Sequence, residues 1–253
     1  MSTLAIALVV FVCCSVAALV GMVLHRALPD RHLDSDSRDV VKLVMGLIAT
    51  MAALVLGLLI ASAKGSYDTQ TTEIQQIAAN LVQLDRMLDL YGPEARDTRD
   101  SLKQTVFVGL QRIWPAETGQ RVDLALSGTR GQADAFYAQL QNLTPRNDSQ
   151  RRAYDAALQL AANLGQLRVL MFEQSGGSVS WPLLTVLVFW VSVLFLGFGL
   201  FTRFHVTIAV ALIVGALSVA SAVFLILELS QPFEGLMRVS DLPLRSALAQ
   251  MGR

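Results

Sequence analysis

Four stretches of the chain are long and apolar enough to cross a bilayer as α-helices. They are residues 4–24, 40–63, 181–202 and 206–229, and a spanning helix needs about 20 mostly apolar residues. The composition agrees, since 53% of the 253 residues are hydrophobic and 16% are charged, whereas a soluble domain carries about 25% charged residues. We therefore predict an all-α protein with four transmembrane helices and the lipid bilayer as its first partner.

The first apolar stretch has an alternative reading as a cleaved signal peptide. No Lys or Arg precedes it, and its apolar run is longer than the core of an ordinary signal peptide. Both properties favour a true membrane span over a targeting segment.

Several function classes find no support in the sequence. The formal net charge is zero, which argues against a nucleic-acid partner, because such proteins carry a basic patch. Cys13 and Cys14 are adjacent in an apolar run and predict no disulfide framework. No nucleophile elbow, phosphate-binding loop, dinucleotide fingerprint or zinc spacing is present, so we expect neither an enzyme nor a cofactor. His32 lies near Asp34 and Asp36, but this spacing matches no known metal frame and we expect no metal site.

A polar insertion, residues 64–180, separates the second and third spans. Only tolerated glycines interrupt the helical pattern between residues 40 and 90, so we predict one continuous helix of about 50 residues, roughly 75 Å long. The "YGPEA" stretch ends it, with Gly92 at the C-cap and Pro93 at the first position of the next helix. The polar part of this helix carries an apolar seam with a/d spacing, formed by Ile74, Ile77, Leu81, Leu84, Leu88 and Tyr91.

Three further helices are predicted in the insertion. One runs to about Arg112 and ends at Trp114-Pro115, a short one covers residues 133–143 after a looser stretch at 116–131, and one covers residues 148–174. Gly176 and Gly177 form a hinge before the third span. The last of these helices has a seam of its own, formed by Ala157, Leu160, Leu164, Leu167 and Met171. The predicted domains are therefore spans one and two (1–63), a coiled-coil-like helical bundle extending spans two and three (64–180), spans three and four (181–229), and a C-terminal tail (230–253).

The second span has one small face and one bulky face. Small faces commonly let helices of one chain pack closely. The functional alternative is that this helix lines a pore, in which apolar constrictions can gate by dewetting. The small face contains Gly46, Thr50, Ala53, Gly57 and Ala61, and the bulky face contains Leu47, Met51, Val55 and Leu58.

Charged residues flank the spans. Lys42 lies just inside the second span and Lys64 just beyond it. A lysine in such a place commonly extends to the membrane interface, and the functional alternative is a pore-mouth cation that attracts anions. Arg203 and His205 in the short loop between spans three and four have the same two interpretations.

The segment after the fourth span mixes an acid, turn residues and hydrophobes. Glu228 at the end of the span is either hydrated or accepts hydrogen bonds from amides of the turn at 232–235. The stretch 241–244 forms no helical stripe. We therefore expect the tail to dock on the insertion rather than to lie on lipid as an amphipathic helix, with apolar contacts supplied by Phe233, Leu236, Leu242 and Leu244.

Two stretches resemble motifs of the bestrophin family. Ser66, Tyr67 and Asp68 match an S-Y-D segment that bestrophins carry, followed by an acid, where their second span leaves the membrane. After the fourth span, Pro232, Phe233 and Gly235 match a P-F-G turn with Glu234 inserted, and Asp241, Leu242, Pro243 and Leu244 match a D-L-P-L segment. The stretches "GLIATMAALVLGLLIASAK", "LDRMLDLYGPEA", "IWP" and "PFEGLMRVS" are similar to the bacterial bestrophin-like membrane proteins over nearly the full length.

The resemblance implies an oligomeric anion channel, a homopentamer with the second spans around its axis and inorganic anions as the permeant species. It also implies a bacterial inner-membrane location with both termini and the insertion in the cytoplasm, an orientation that loop charges leave undecided. Bestrophins have bulky apolar residues at the pore neck, whereas Ala53, Gly57 and Ala61 occupy the matching positions here. Either Leu47, Met51 and Val55 form the constriction, or the neck is wider, or there is no pore.

The alternative function is a membrane-anchored scaffold whose helical insertion binds a cytosolic partner without conducting ions. Anion flux through reconstituted protein separates these two hypotheses.

Overall fold

The computed structural model describes residues 2–27, 35–114, 126–174, 180–202, 205–233 and 235–251. Within these ranges the chain is helical and contains no strand, which confirms the predicted fold class. The helices are α1 (Thr3–Ala27), α2 (Ser35–Tyr91), α3 (Arg96–Ile113), α4 (Leu126–Gln141), α5 (Asp148–Gln174), α6 (Trp181–Leu200), α7 (Val206–Leu229) and α8 (Leu242–Gln250). A short 3₁₀ turn at Pro93–Ala95 precedes α3.

Four helices in the described part of the chain are long and apolar enough to cross a membrane. They are α1, the first part of α2, α6 and α7, as predicted. Helix α2 is continuous for 57 residues, slightly longer than the predicted helix of about 50 residues. The chain divides into two compact units, which we call the apolar unit (Met1–Gly65 and Ser178–Ser230) and the polar unit (Ser66–Gly177 and Gln231–Arg253). Helix α2 contributes to both.

In the apolar unit, α1 packs against α6 and α7. The contact with α6 is made backbone to backbone at two glycines. A Cβ on Gly21 would lie 2.1 Å from the carbonyl oxygen of Leu196, and one on Gly199 would lie 2.2 Å from that of Ala18. Because no side chain fits between the helices there, glycine is required at both crossing points.

In the polar unit, the predicted seam of α2 faces the core. Ile74, Leu84 and Leu88 are fully buried, and Ile77 packs against the same cluster. On α5, Ala157 and Met171 are buried and Leu160 and Leu164 are half-buried. The two seams predicted from heptad spacing therefore form the interior of this bundle.

The turn between α2 and α3 has the predicted chemistry. Gly92 has a φ of 119°, a conformation that L side chains rarely adopt, and Pro93 opens the following turn. The Arg99 guanidinium donates two hydrogen bonds of 2.9 Å to the buried Asp85 carboxylate, and it also binds Asp89. Helix α3 is thereby held against the end of α2.

Two sequence-based expectations for the helices of the polar unit are wrong. Helix α4 begins at Leu126, inside the stretch expected to be loose, because its two glycines are tolerated within a helix. The tail contains α8, although the stretch 241–244 was expected to form no helical stripe. Pro243 lies in its first turn, where a missing N–H costs nothing, and Leu244, Ala247 and Met251 form its buried face. The predicted hinge at Gly176 and Gly177 lies outside the described residues.

Candidate functional site

Helix α2 packs within the apolar unit through one side. Ala52, Leu59 and Ala63 are buried there. Met45 lies on the same side and reaches α6, since a Cβ on Gly197 would lie 2.6 Å from its Sδ. These positions differ from both faces considered from the sequence, so a third side of the helix makes the contacts within the chain.

The small face lies on the uncovered side of α2. All five of its residues are exposed, and a Cβ on Gly46 or Gly57 would meet no atom within 4 Å. The Thr50 hydroxyl donates a hydrogen bond to the Leu47 carbonyl at 2.7 Å, so it is satisfied without a partner outside the helix. Packing within the chain therefore does not explain why these positions are small.

The bulky face is only partly uncovered. Leu47 is 64% exposed and Met51 is 44% exposed, whereas Val55 is half-buried. Leu54 lies between the two faces, is 70% exposed, and marks the centre of the uncovered side. Leu54 was missed from the sequence because it belongs to neither stripe, and the only signal for it was its position between them.

The lysines near the two ends of the second span are exposed. The Lys42 ammonium lies 3.1 Å from the Asp39 carboxylate, and both side chains are mostly exposed. Lys64 is exposed. His205 immediately precedes α7, and Arg203 lies outside the described residues.

No cluster of three or more His, Cys, Asp or Glu residues able to hold a metal occurs among the residues that the structure describes. His32 and Asp34 lie outside them, as does the side chain of Asp36.

Glu228 is buried, with 3% of the residue exposed. The Thr3 hydroxyl at the start of α1 donates a hydrogen bond of 2.6 Å to its Oε1. The interpretation of Glu228 as a hydrated interfacial carboxylate is therefore wrong. This contact joins the beginning of α1 to the end of α7.

The segment after α7 forms a closed loop, Pro232–Val239, which we call the tail loop. The Val239 amide donates to the Pro232 carbonyl at 2.7 Å, and the Trp114 indole donates to the Val239 carbonyl at 2.9 Å. Pro232 and Phe233 are buried, and the Phe233 ring meets the Trp114 ring edge to face with centroids 6.0 Å apart. Gly235 has a φ of 81°, and Glu234 lies outside the described residues.

Some of the residues that the sequence predicts to dock the tail lie together in the structure. Phe233 and Leu244 belong to the core cluster of the polar unit, and Tyr67 packs against that cluster. Ser66 and Pro243 are half-buried, and Asp68 is exposed. Asp241 forms an ion pair with Arg245 one turn along α8.

Two tail residues differ from expectation. Leu236 is 82% exposed and Leu242 is 66% exposed, so the expectation that they supply apolar contacts to this chain's core is wrong. Leu236 lies in the tail loop beyond Gly235, and Leu242 lies on the outer face of α8. Val239, Ala247 and Met251 are buried in the core instead, and none of these three was named from the sequence.

Comparison with known proteins identifies the family. The model of the Bestrophin-like domain matches residues 12–244, which covers most of the first apolar helix, all of the other three and the tail through Leu244. No curated protein and no solved structure matches the chain significantly. With four membrane-spanning helices and a family match over nearly its whole length, the chain is an integral membrane protein that belongs to the bestrophin-like family.

Proposed function

We propose that this protein is an anion channel, formed by a ring of identical chains with α2 of each chain facing the central axis. The bestrophin family to which the match points consists of anion channels. The ring is a pentamer, as in bestrophins, in the bacterial inner membrane. Both termini and the polar unit lie in the cytoplasm.

The uncovered side of α2 is the observation that carries this proposal. Four spans in one chain are too few to surround a pore, so several chains must contribute one helix each. The uncovered side is small at Ala53, Gly57 and Ala61 and leaves room for a lumen. Leu47, Met51 and Leu54 flank that stripe and supply an apolar neck of the kind that gates by dewetting.

Positive charge near the ends of the span favours anions. Lys42 and Lys64 lie 22 residues apart on α2, about 33 Å at 1.5 Å per residue, which matches the thickness of the hydrocarbon core. Cations at the two mouths of a low-dielectric pore raise the local concentration of anions. The Asp39 carboxylate beside Lys42 reduces this effect.

Chloride efflux from vesicles that contain the purified protein tests the proposal. Gly57→Phe places a large side chain in space that is empty within the chain, so we expect efflux to fall while the oligomer remains intact. The control is Val9→Phe on α1, where the native residue is 50% exposed. We expect this variant to conduct as the unaltered protein does.

Absence of efflux from vesicles that contain intact oligomers contradicts the channel. Equal efflux from Gly57→Phe and the unaltered protein contradicts the assignment of this face to the lumen, and Met51→Trp then tests the bulky face in the same way.

A further inference from the structure

The tail loop presents an apolar tip on a fixed base. Two hydrogen bonds and a ring contact hold the base, as described above for Pro232, Val239, Phe233 and Trp114. At the tip, Leu236 is 82% exposed and Met237 is 43% exposed. Because the base of the loop is already held, binding through the tip would lose little conformational entropy. This property is typical of a docking element and not of a random coil.

Exposed apolar residues of the polar unit are concentrated in the segments next to the spans. Among its described residues, those with large exposed hydrophobic side chains are Leu90, Phe107, Val169, Leu170, Leu236, Met237 and Leu242. Two of them precede the third span by about a dozen residues, and three follow the end of α7 within 13 residues. Five of these seven residues therefore lie in segments that chain connectivity keeps near the membrane.

The chain itself limits how far the tip can lie from the bilayer. Leu236 comes seven residues after Leu229, the last residue of the fourth span, so the covalent chain keeps the two within about 25 Å even if fully extended. The turn at Gly235 and the hydrogen bond that closes the loop shorten this reach. The tip is thus within reach of the headgroup region.

A cation flanks the apolar tip. Arg238 is exposed, and its Nε donates a hydrogen bond of 3.1 Å to the Gly235 carbonyl, which holds the side chain beside the tip. Leu236 and Met237 can enter the apolar side of the membrane interface while the Arg238 guanidinium beside them stays at the level of the phosphates.

We propose that the tail loop is a lipid-docking element, with Leu236 and Met237 inserted at the headgroup–acyl boundary and Arg238 contacting anionic headgroup phosphates. It fixes the depth at which the C-terminal tail leaves the membrane, and it is independent of ion conduction. Docking of the same tip on a second copy of the chain is the alternative that the experiment distinguishes.

The test measures how accessible a nitroxide at the tip is to oxygen and to a water-soluble nickel chelate. The full chain, with Cys13→Ser and Cys14→Ala, carries the label at Leu236→Cys and is reconstituted in vesicles of phosphatidylcholine and phosphatidylglycerol. The control label is at Leu90→Cys, an exposed residue at the far end of α2, 27 residues after Ala63. A label at Met237→Cys repeats the measurement in case one variant fails to fold.

Lipid docking predicts that the label at 236 meets oxygen several-fold more often, relative to nickel, than the label at 90. Equal access of both reagents at 236 and 90 means that the tip is in water and overturns the proposal. Exclusion of both reagents at 236 means that protein covers the tip, and it also overturns lipid docking.

The role of Arg238 is tested with the same label. Arg238→Gln is expected to abolish the increase in depth on going from pure phosphatidylcholine to the mixture containing phosphatidylglycerol. An increase that persists in this variant overturns the assignment of Arg238 to the headgroup phosphates.

Discussion

Glycine has opposite roles on α1 and α2. Gly21 lies where α1 meets α6 backbone to backbone, whereas Gly46 faces open space. Gly21→Ala forces the two helices apart and should destabilise the apolar unit by about 1–3 kcal/mol or more, while Gly46→Ala should cause no loss and gains helix propensity. Thermal unfolding of the two purified variants in the same detergent compares them. Equal midpoints would contradict the close crossing of α1 and α6.

The Asp85–Arg99 pair is the main buried charge interaction described in the polar unit. The Asp85 side chain is only 8% exposed. The hydrogen bonds to Asp85 raise the pKa of the Arg99 guanidinium, although burial acts in the opposite direction. Arg99 therefore stays charged. Arg99→Leu leaves a buried carboxylate without its cation and should cost about 3–5 kcal/mol.

Urea unfolding followed by Trp fluorescence measures that cost. The control is Arg245→Leu, which breaks the more exposed pair with Asp241 on α8 and should cost no more than about 1 kcal/mol. Adding Asp85→Leu to Arg99→Leu should restore much of the lost stability. Similar midpoints for Arg99→Leu and Arg245→Leu would show that burial of the first pair has no energetic consequence.

At the scale of elements, Phe233 is one of the tail side chains that pack in the core of the polar unit. Phe233 is 3% exposed, so Phe233→Ala should cost about 3–5 kcal/mol and release the tail to proteases. Trp114→Phe keeps an aromatic ring beside Phe233 and loses the hydrogen bond to Val239 and little packed volume, at about 1–2 kcal/mol. Limited proteolysis with mass spectrometry should show cleavage after residue 233 much sooner in the first variant. Equal cleavage rates would contradict this role for Phe233.

The helices that were predicted well have long and consistent patterns. The sequence predicts α5 at residues 148–174 and predicts that α2 ends at the "YGPEA" stretch. Both predictions succeed because the heptad spacing and the positions of glycine and proline indicate the same helix boundaries. Helix α8 was missed because it has only nine residues, and its buried face becomes visible only when Leu244 is combined with Ala247 and Met251. The exposure of Leu236 follows from the tail loop, one of whose hydrogen bonds joins Trp114 to Val239 across 125 positions.

At the scale of the molecule, the candidate site was only half predictable. The spacing of residues 46–61 predicts two faces of α2, and the small face and part of the bulky face lie on the side that the chain leaves uncovered. The third side, which packs within the chain, depends on the meeting of Met45 with Gly197 across 152 positions. No local pattern contains that information. Leu54, at the centre of the uncovered side, could be recognised only after the covered side was known.

In the proposed channel, the uncovered side of α2 faces an aqueous, anion-conducting lumen. The most direct measurement is chloride efflux from vesicles that contain Leu54→Cys in a background of Cys13→Ser and Cys14→Ala, before and after addition of a water-soluble thiol reagent. We expect efflux that the reagent reduces, while a Val9→Cys control is unaffected. Efflux that is absent from the start, or equally insensitive to the reagent in both variants, would contradict the account.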